Sequence, residues 1–325
     1  MSIQSLIQSF SNYKILVIGD IILDHYAFGT VNRISPEAPI QILDLKKDEF
    51  RLGGAANVAR NLAKLNVAAS LCGVIGKDFY GSKLLELLDQ DKIQRQGICE
   101  DDLRPSTIKT RFIANGHHLL RVDFEDKKAI SLEKNSQIMD FLTSQINNYD
   151  CLILSDYAKG VFGESSECLA QKILLLAAKH GKKVFVGPKG KDWRKYKGAY
   201  LLSANRSETE AICGTSLSTH DDIKREAKKI LEELELHAML VTLGSQGMYL
   251  LNRNDQGFYA SAQAKEVFDV VGAGDTVLSL ISLCLAAGET WEMAMKLANT
   301  AAGIVVGKVG TSVVLPDELE KNFIF

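Results

Sequence analysis

No two of the six cysteines stand at a spacing that would let them act together. Cys72, Cys99, Cys151, Cys168, Cys213 and Cys284 are scattered, with no C-x-x-C pair. That excludes the usual zinc spacings and a disulfide frame, and fits reduced thiols in the cytoplasm. The six histidines, at 25, 117, 118, 180, 220 and 237, form no H-x-x-x-H pair and no Cys/His set, so they read as surface or lid residues. Excess charge of one sign is missing too. A net charge of −2 offers no basic field for nucleic acid or an anionic membrane. No apolar run approaches the roughly 20 residues a membrane helix needs. The start, MSIQSLIQSF, lacks a basic n-region and a small-residue cleavage site, so no signal peptide is expected and the expected compartment is the cytoplasm. Internal repeats, low-complexity tracts and linker-like composition shifts are also absent.

What is present is a chain of 325 residues, 46% hydrophobic and 24% charged, ordinary for a globular protein and large enough for one domain with an appendage. Short apolar runs alternate with helical patterns. KILVIGD (14–20), AASLCGVIG (68–76), CLILSD (151–156), KKVFVG (182–187) and AMLVTLG (238–244) read as strands. GAANVARNLAKL (54–65), DFYGSKLLELLDQ (78–90), a segment near 164–180, DDIKREAKKILEEL (221–234), and segments near 273–287 and 290–306 read as helices. This alternation predicts an α/β fold, a mostly parallel central sheet with helices on both faces and ligands beyond the carboxyl ends of its strands. Two segments break the pattern. Residues 26–50, with Pro36 and Pro39, and residues 106–124, with ANG as a hairpin turn, predict a small antiparallel sheet standing off the main body.

Two glycine clusters precede helices. In FDVVGAGDTVLSL (268–280), Gly272 and Gly274 let successive backbone N–H groups point at one spot, and the following helix adds its positive end. Asp275 is then either a base at the lip of an anion hole or a plain helix-start acid. In RLGGAANVARN (51–61), Gly53 and Gly54 open a helix carrying Asn57, which suits either close approach to a ligand or a simple loop-to-helix turn. Two look-alikes are set aside. GIVVGKVGTS (303–312) is one residue short of a P-loop and has Val309 where Ser or Thr would hold magnesium; GAGDTV has Val277 where G-x-G-x-x-G ends in glycine.

Taken together, GGAANVARNLAKL and DVVGAGDTV resemble the two signatures of the PfkB (ribokinase-like) carbohydrate kinase family, in the right order and across essentially the whole chain. GDIILDHY (19–26), RISPEAPI (33–40), KTRFIANGHHLLRVDFED (109–126), LSDYAKG (154–160) and GKVGTSVV (307–314) are similar to one subgroup, the heptose 7-phosphate kinases, also found as half of a bifunctional ADP-heptose synthase. The resemblance implies a single ribokinase-like domain over 1–325, with 26–50 and 106–124 as lid insertions. It implies an ATP-dependent kinase acting on the anomeric hydroxyl of a seven-carbon sugar 7-phosphate, with Asp275 as general base and the N–H groups of Gly272, Ala273 and Gly274 holding the transferred phosphoryl. It implies magnesium on the ATP phosphates, positioned through water by Asn205 and Glu208 of NRSE (205–208), although Glu208 can also be read as a helix first-turn acid. Gly244 and Gly247 of LGSQG (243–247) would lie beneath the nucleotide, and Asn299 would touch its adenine or ribose.

For the sugar, the resemblance implies Asp20, Asp24, Gly53, Gly54 and Asn57. Lys109, Arg111, Lys159 and Lys189 match basic positions of the subgroup and as a set would cradle its phosphate; singly, each reads more often as a solvated surface charge. The chain departs from the subgroup at Gly187, where an acid usually stands at a strand end, and at Ala204, His118 and Val271. Alternatives from the same residues are a kinase for another sugar or sugar phosphate, and a sugar-phosphate binding protein that has lost turnover. Lid hairpins in this family commonly pair between subunits, so a homodimer is expected, covering Phe112, Leu119 and Leu120. With the chain ending soon after LPDEL, the expectation is a stand-alone kinase or the kinase half of a longer protein.

Overall fold

The run Lys14–Gly19 (β1) is buried at every position after its first. Ile15 and Val17 face one apolar layer while Leu16 and Ile18 face the other, as a period of two requires of a strand covered on both sides. Our computed structural model describes residues 2–163, 168–263 and 267–323. Its other strands are Ile21–Ile34 (β2), Gln41–Gly54 (β3), Ala68–Gly76 (β4), Gln94–Asp101 (β5), Thr107–Ala114 (β6), His117–Phe124 (β7), Cys151–Ser155 (β8), Lys183–Gly187 (β9), Leu201–Asn205 (β10), Ala238–Thr242 (β11), Met248–Asn252 (β12) and Gly257–Ala260 (β13).

Among the described residues, nine strands form the central sheet in the order β13-β12-β11-β10-β9-β8-β1-β4-β5. Pairing is parallel from β5 to β11, and β12 and β13 close that edge as antiparallel strands. One face is covered by the helices Ala55–Lys64, Phe79–Gln90, Ala273–Ala286 and Trp291–Val305. The other is covered by Leu132–Gln145, Leu169–Lys179 and His220–Glu233. The helix expected near 164–180 is therefore seen from Leu169, and 164–167 lie outside the described residues. No described helix is long and apolar enough to cross a membrane.

The two segments without helical period build a second, four-stranded sheet in the order β3-β2-β6-β7. Its outer ladders are antiparallel, and β2 and β6 run side by side in parallel. β2 leaves the core directly after β1, so its first half is buried and its far end exposed. Every residue of β7 is exposed, including Leu119, Leu120, Val122 and Phe124, while Phe112 on β6 is half-buried.

Candidate active site

The carboxyl ends of the parallel strands deliver Asp20, Asp156, Gly187, Asn205 and Thr242 to one edge of the sheet. The helix Ala273–Ala286 starts over that edge. Its N-cap, Gly272, has φ +84°, a left-handed conformation that favours glycine, and a Cβ there would stand 2.9 Å from Asn57 Nδ2. A Cβ on Gly274 would meet nothing within 4 Å, so this residue borders open space. The N–H of Ala273 turns back to the Val270 carbonyl at 3.3 Å. Those of Gly274 and Asp275 have no acceptor among the described residues, which leaves first-turn donors facing the cleft.

Asp275 is 7% exposed, and both its oxygens are held. Asn57 Nδ2 donates to Oδ2 at 2.8 Å, and the Tyr157 hydroxyl donates to Oδ1 at 2.6 Å. Burial pushes the carboxyl up to about 6; the two hydrogen bonds oppose that shift and the charge of Asp24 adds to it. A carboxyl with such a value is mostly ionised at neutral pH and still basic enough to accept a proton. Asn57 comes from the helix Ala55–Lys64, entered through Gly54 at φ +57°. That helix is tied to the Asp275 helix at further polar points. Thr276 Oγ1 donates to Asn61 Oδ1 at 3.0 Å, and Ser279 Oγ donates to the Val58 carbonyl at 3.1 Å. Asn57 Oδ1 is buried without a partner among the described residues.

Asp24 on β2 accepts from Arg111 Nη1 at 2.6 Å, and both residues are buried. Burial raises the Asp24 carboxyl, with Arg111 opposing. A Cβ on Gly53 would sit 2.5 Å from Asp24 Oδ2, so the glycine makes room for this carboxylate. Arg111, expected at a substrate phosphate, instead orients Asp24 and lies over the Tyr26 ring with 5.2 Å to its centroid.

Asp20, expected among the sugar contacts, has its carboxylate turned into the chain. It accepts the N–H groups of Tyr157 at 2.8 Å, Lys159 at 3.0 Å and Val161 at 3.2 Å. Burial pushes Asp20 up to about 6, the Asp156 charge adds, and the three N–H bonds resist. The four expected cations do not converge on one point. Lys109 pairs with Asp123 at 2.9 Å and Glu125 at 3.5 Å, and Lys159 pairs with the same Glu125 at 2.7 Å. Lys189 pairs with Glu208 at 2.6 Å.

Glu208 and Asn205 form a capping box at the start of the helix Arg206–Cys213, Asn205 Oδ1 accepting the Glu208 N–H at 2.8 Å and Glu208 Oε2 accepting the Asn205 N–H at 3.0 Å. Both readings of this pair hold together, because the box also lines a small cavity with Asp275, Gly274, Tyr157, Asp156 and Gly187. That cavity opens beside a larger one of about 590 Å³, bordered by Asn205, Gly244, Gly247, Met248, Val277 and Asn299. Gly244 and Gly247 both have positive φ, at +60° and +98°, flanking a single 3-10 turn. Asn299 Nδ2 donates to the Ser261 carbonyl at 2.7 Å. The larger cavity is mostly apolar with a few polar side chains in its lining, a shape suited to a nucleotide-sized ligand. Sequence reasoning missed Tyr157 as a partner of Asp275; the only local signal was its place in DYAKG directly after a strand end.

Comparison with known proteins gives a consistent picture. The pattern of the pfkB family of carbohydrate kinases matches residues 12–318. The chain is 44% identical over 311 residues to the bifunctional protein HldE of Haemophilus influenzae (strain PittEE), covering 96% of this chain and 63% of that protein. It is 40% identical over 317 residues to the bifunctional protein HldE of Geotalea uraniireducens (strain Rf4), covering 98% and 64%. The chain thus spans less than two thirds of the length of these relatives. Among solved structures, Arabidopsis thaliana ribokinase complexed with ribose and ATP superposes with a TM-score of 0.76 at 19% identity, covering 96% of this chain and 99% of that one. Phosphofructokinase-2 from Escherichia coli, in complex with substrates and products, gives 0.78 at 20% identity, covering 96% and 98%. The fold is ribokinase-like.

Proposed function

This chain belongs to the pfkB family of carbohydrate kinases, and we propose that it transfers the γ-phosphoryl of ATP to the anomeric C1 hydroxyl of D-glycero-D-manno-heptose 7-phosphate. The product is heptose 1,7-bisphosphate, on the route to ADP-heptose for lipopolysaccharide core. The observation that carries the reading is the buried, doubly hydrogen-bonded Asp275 on the small cavity, next to Gly274, which borders both cavities, with first-turn N–H groups beside it that have no acceptor among the described residues. Identity to the HldE proteins and the subgroup strings RISPEAP and DYAKG support the choice of sugar.

In this reading ATP lies in the larger cavity, over Gly244 and Gly247 and against Asn299. The sugar lies between Asp24, Gly53, Gly54 and Asn57, whose buried Oδ1 has no partner among the described residues. Asp275 takes the proton as the C1 oxygen attacks in line, and the N–H groups of the 272–275 turn stabilise charge on the moving phosphoryl. Lys109 and Lys159, converging on Glu125 at the root of the lid, are our candidates for the 7-phosphate. Magnesium suits this donor set: it keeps most of its waters and needs few protein oxygens, and the Glu208 carboxylate with the Asn205 amide oxygen would hold it beside the cavity. When bound it would neutralise the ATP phosphates. The exposed apolar residues of β7 support a homodimer closed through the lid, and the whole described chain acts as one kinase domain in the cytoplasm.

The test is ADP release with magnesium and ATP, comparing the heptose 7-phosphate with unphosphorylated sugars and with Asp275→Asn alongside. Turnover confined to the phosphorylated heptose and abolished by the substitution is expected. Binding of the heptose phosphate without turnover would overturn the enzyme reading and turn attention to Gly187.

A further inference from the structure

Resting on the reading of Asp275 as the base, we propose that Tyr157 is its positioning residue, a rigid hydroxyl that holds the carboxylate in one rotamer and in its ionised form. The hydroxyl donates to Oδ1 at 2.6 Å, while Asn57 holds Oδ2. What makes Tyr157 the fixed partner is the way its own backbone is held. Its N–H and those of Lys159 and Val161 end on the buried Asp20 carboxylate. Asp156 Oδ1 accepts the Ala158 N–H at 2.6 Å, and Asp156 Oδ2 accepts from the buried Lys195 at 2.7 Å and from the Tyr196 hydroxyl. Arg104 Nη2 donates to the Lys159 carbonyl at 2.7 Å. Ala158 is left at φ +53°, a conformation that a non-glycine residue holds only when its surroundings over-determine it. Two buried carboxylates and one guanidinium therefore set this short loop independently of Asp275, and the tyrosine hydroxyl gives it a hydrogen bond to the base.

The other charged groups facing this point are already paired and cannot take over the role. Asp24 is bound to Arg111, Glu208 to Lys189, and Asp156 to Lys195. A hydrogen bond to the charged form favours that form, so its loss leaves the base protonated at higher pH. The Tyr157→Phe variant keeps the ring and removes only this donor.

The experiment titrates the protein with its aspartates labelled at ¹³Cγ, as wild type, Tyr157→Phe and Asp275→Asn, the last identifying the Asp275 resonance by its disappearance. Tyr157→Phe should move the Asp275 midpoint up by about one pH unit. In the kinase assay its kcat should fall roughly threefold at pH 6.5, recover toward wild type at pH 8.5, and leave KM for ATP unchanged. An unmoved midpoint overturns the proposal, and so does a moved midpoint with kcat unaffected across the range. The titration needs no sugar. A shifted midpoint in a protein that phosphorylates nothing would sink the proposed reaction while the coupling stands; turnover with an unmoved midpoint would do the reverse.

Discussion

Asp275→Asn should abolish phosphorylation and, at neutral pH, leave the protein more stable than wild type. The sign follows from the carboxyl's value in the fold, raised from 3.8 to about 6 mainly by burial. Between those values the native state holds a proton that the unfolded chain releases. Wild-type stability from this group is therefore fully present below pH 3.8 and is lost as pH rises through 6. Two units at 1.36 kcal/mol each amount to roughly 3 kcal/mol of strain at pH 7.5, on a group that is almost fully buried. Asparagine escapes that strain without stranding a partner. Its carbonyl can accept from Asn57 Nδ2, and its NH₂ can donate to the Tyr157 hydroxyl, which is able to reverse its role. For a chain of 325 residues, 3 kcal/mol corresponds to about 4 °C in Tm. The assay is thermal unfolding of both proteins at pH 7.5 and pH 4, beside ADP release, where losing a general base should cost about 10²–10⁴-fold. A variant that melts below wild type at pH 7.5, or an advantage that does not shrink at pH 4, would refute the reasoning.

Other expectations follow from the same geometry. Gly53→Ala puts a Cβ 2.5 Å from Asp24 Oδ2 while Arg111 holds Oδ1 at 2.6 Å. The carboxylate must shift, at a cost of about 1–3 kcal/mol, and sugar KM should rise with it; an unchanged melting curve and KM would show that Asp24 yields freely. Lys159→Ala should raise KM for the phosphorylated sugar about 10–100-fold and leave KM for ATP alone, whereas an equal effect on an unphosphorylated sugar would remove Lys159 from the phosphate. Leu120, 58% exposed on β7, should be covered by a second copy. Light scattering should then find wild type at twice the mass of Leu120→Asp, and a monomeric wild type would end the lid-dimer proposal.

How far the chain could be read without coordinates depended on whether each feature was local. The apolar runs of β1, β4, β8, β9 and β11, and the glycine-led helices after 54 and 272, are set by period and turn chemistry within a few residues, and they stand where those patterns put them. β5 was not legible, because Gln94–Asp101 is mostly polar and becomes a strand by pairing with β4. β10 is short and ends in the cap of the next helix, and its identity as a strand comes from lying between β9 and β11. At the site, Asp275, Gly272 and Asn57 were marked by motifs, but their meeting was decided only when two helices 218 residues apart packed together. The same holds for charge. Asp20, Arg111 and Lys189 have the residue types that bind sugars and phosphates, yet a carboxylate or cation acts on whatever the fold places within reach. For Asp20 that is three backbone N–H groups, for Arg111 it is Asp24, and for Lys189 it is Glu208. Local pattern therefore determined most of the elements and marked Asp275 as a candidate. Tertiary packing decided which polar groups were left free for a ligand, because burial and pairing depend on neighbours that the chain brings from far away.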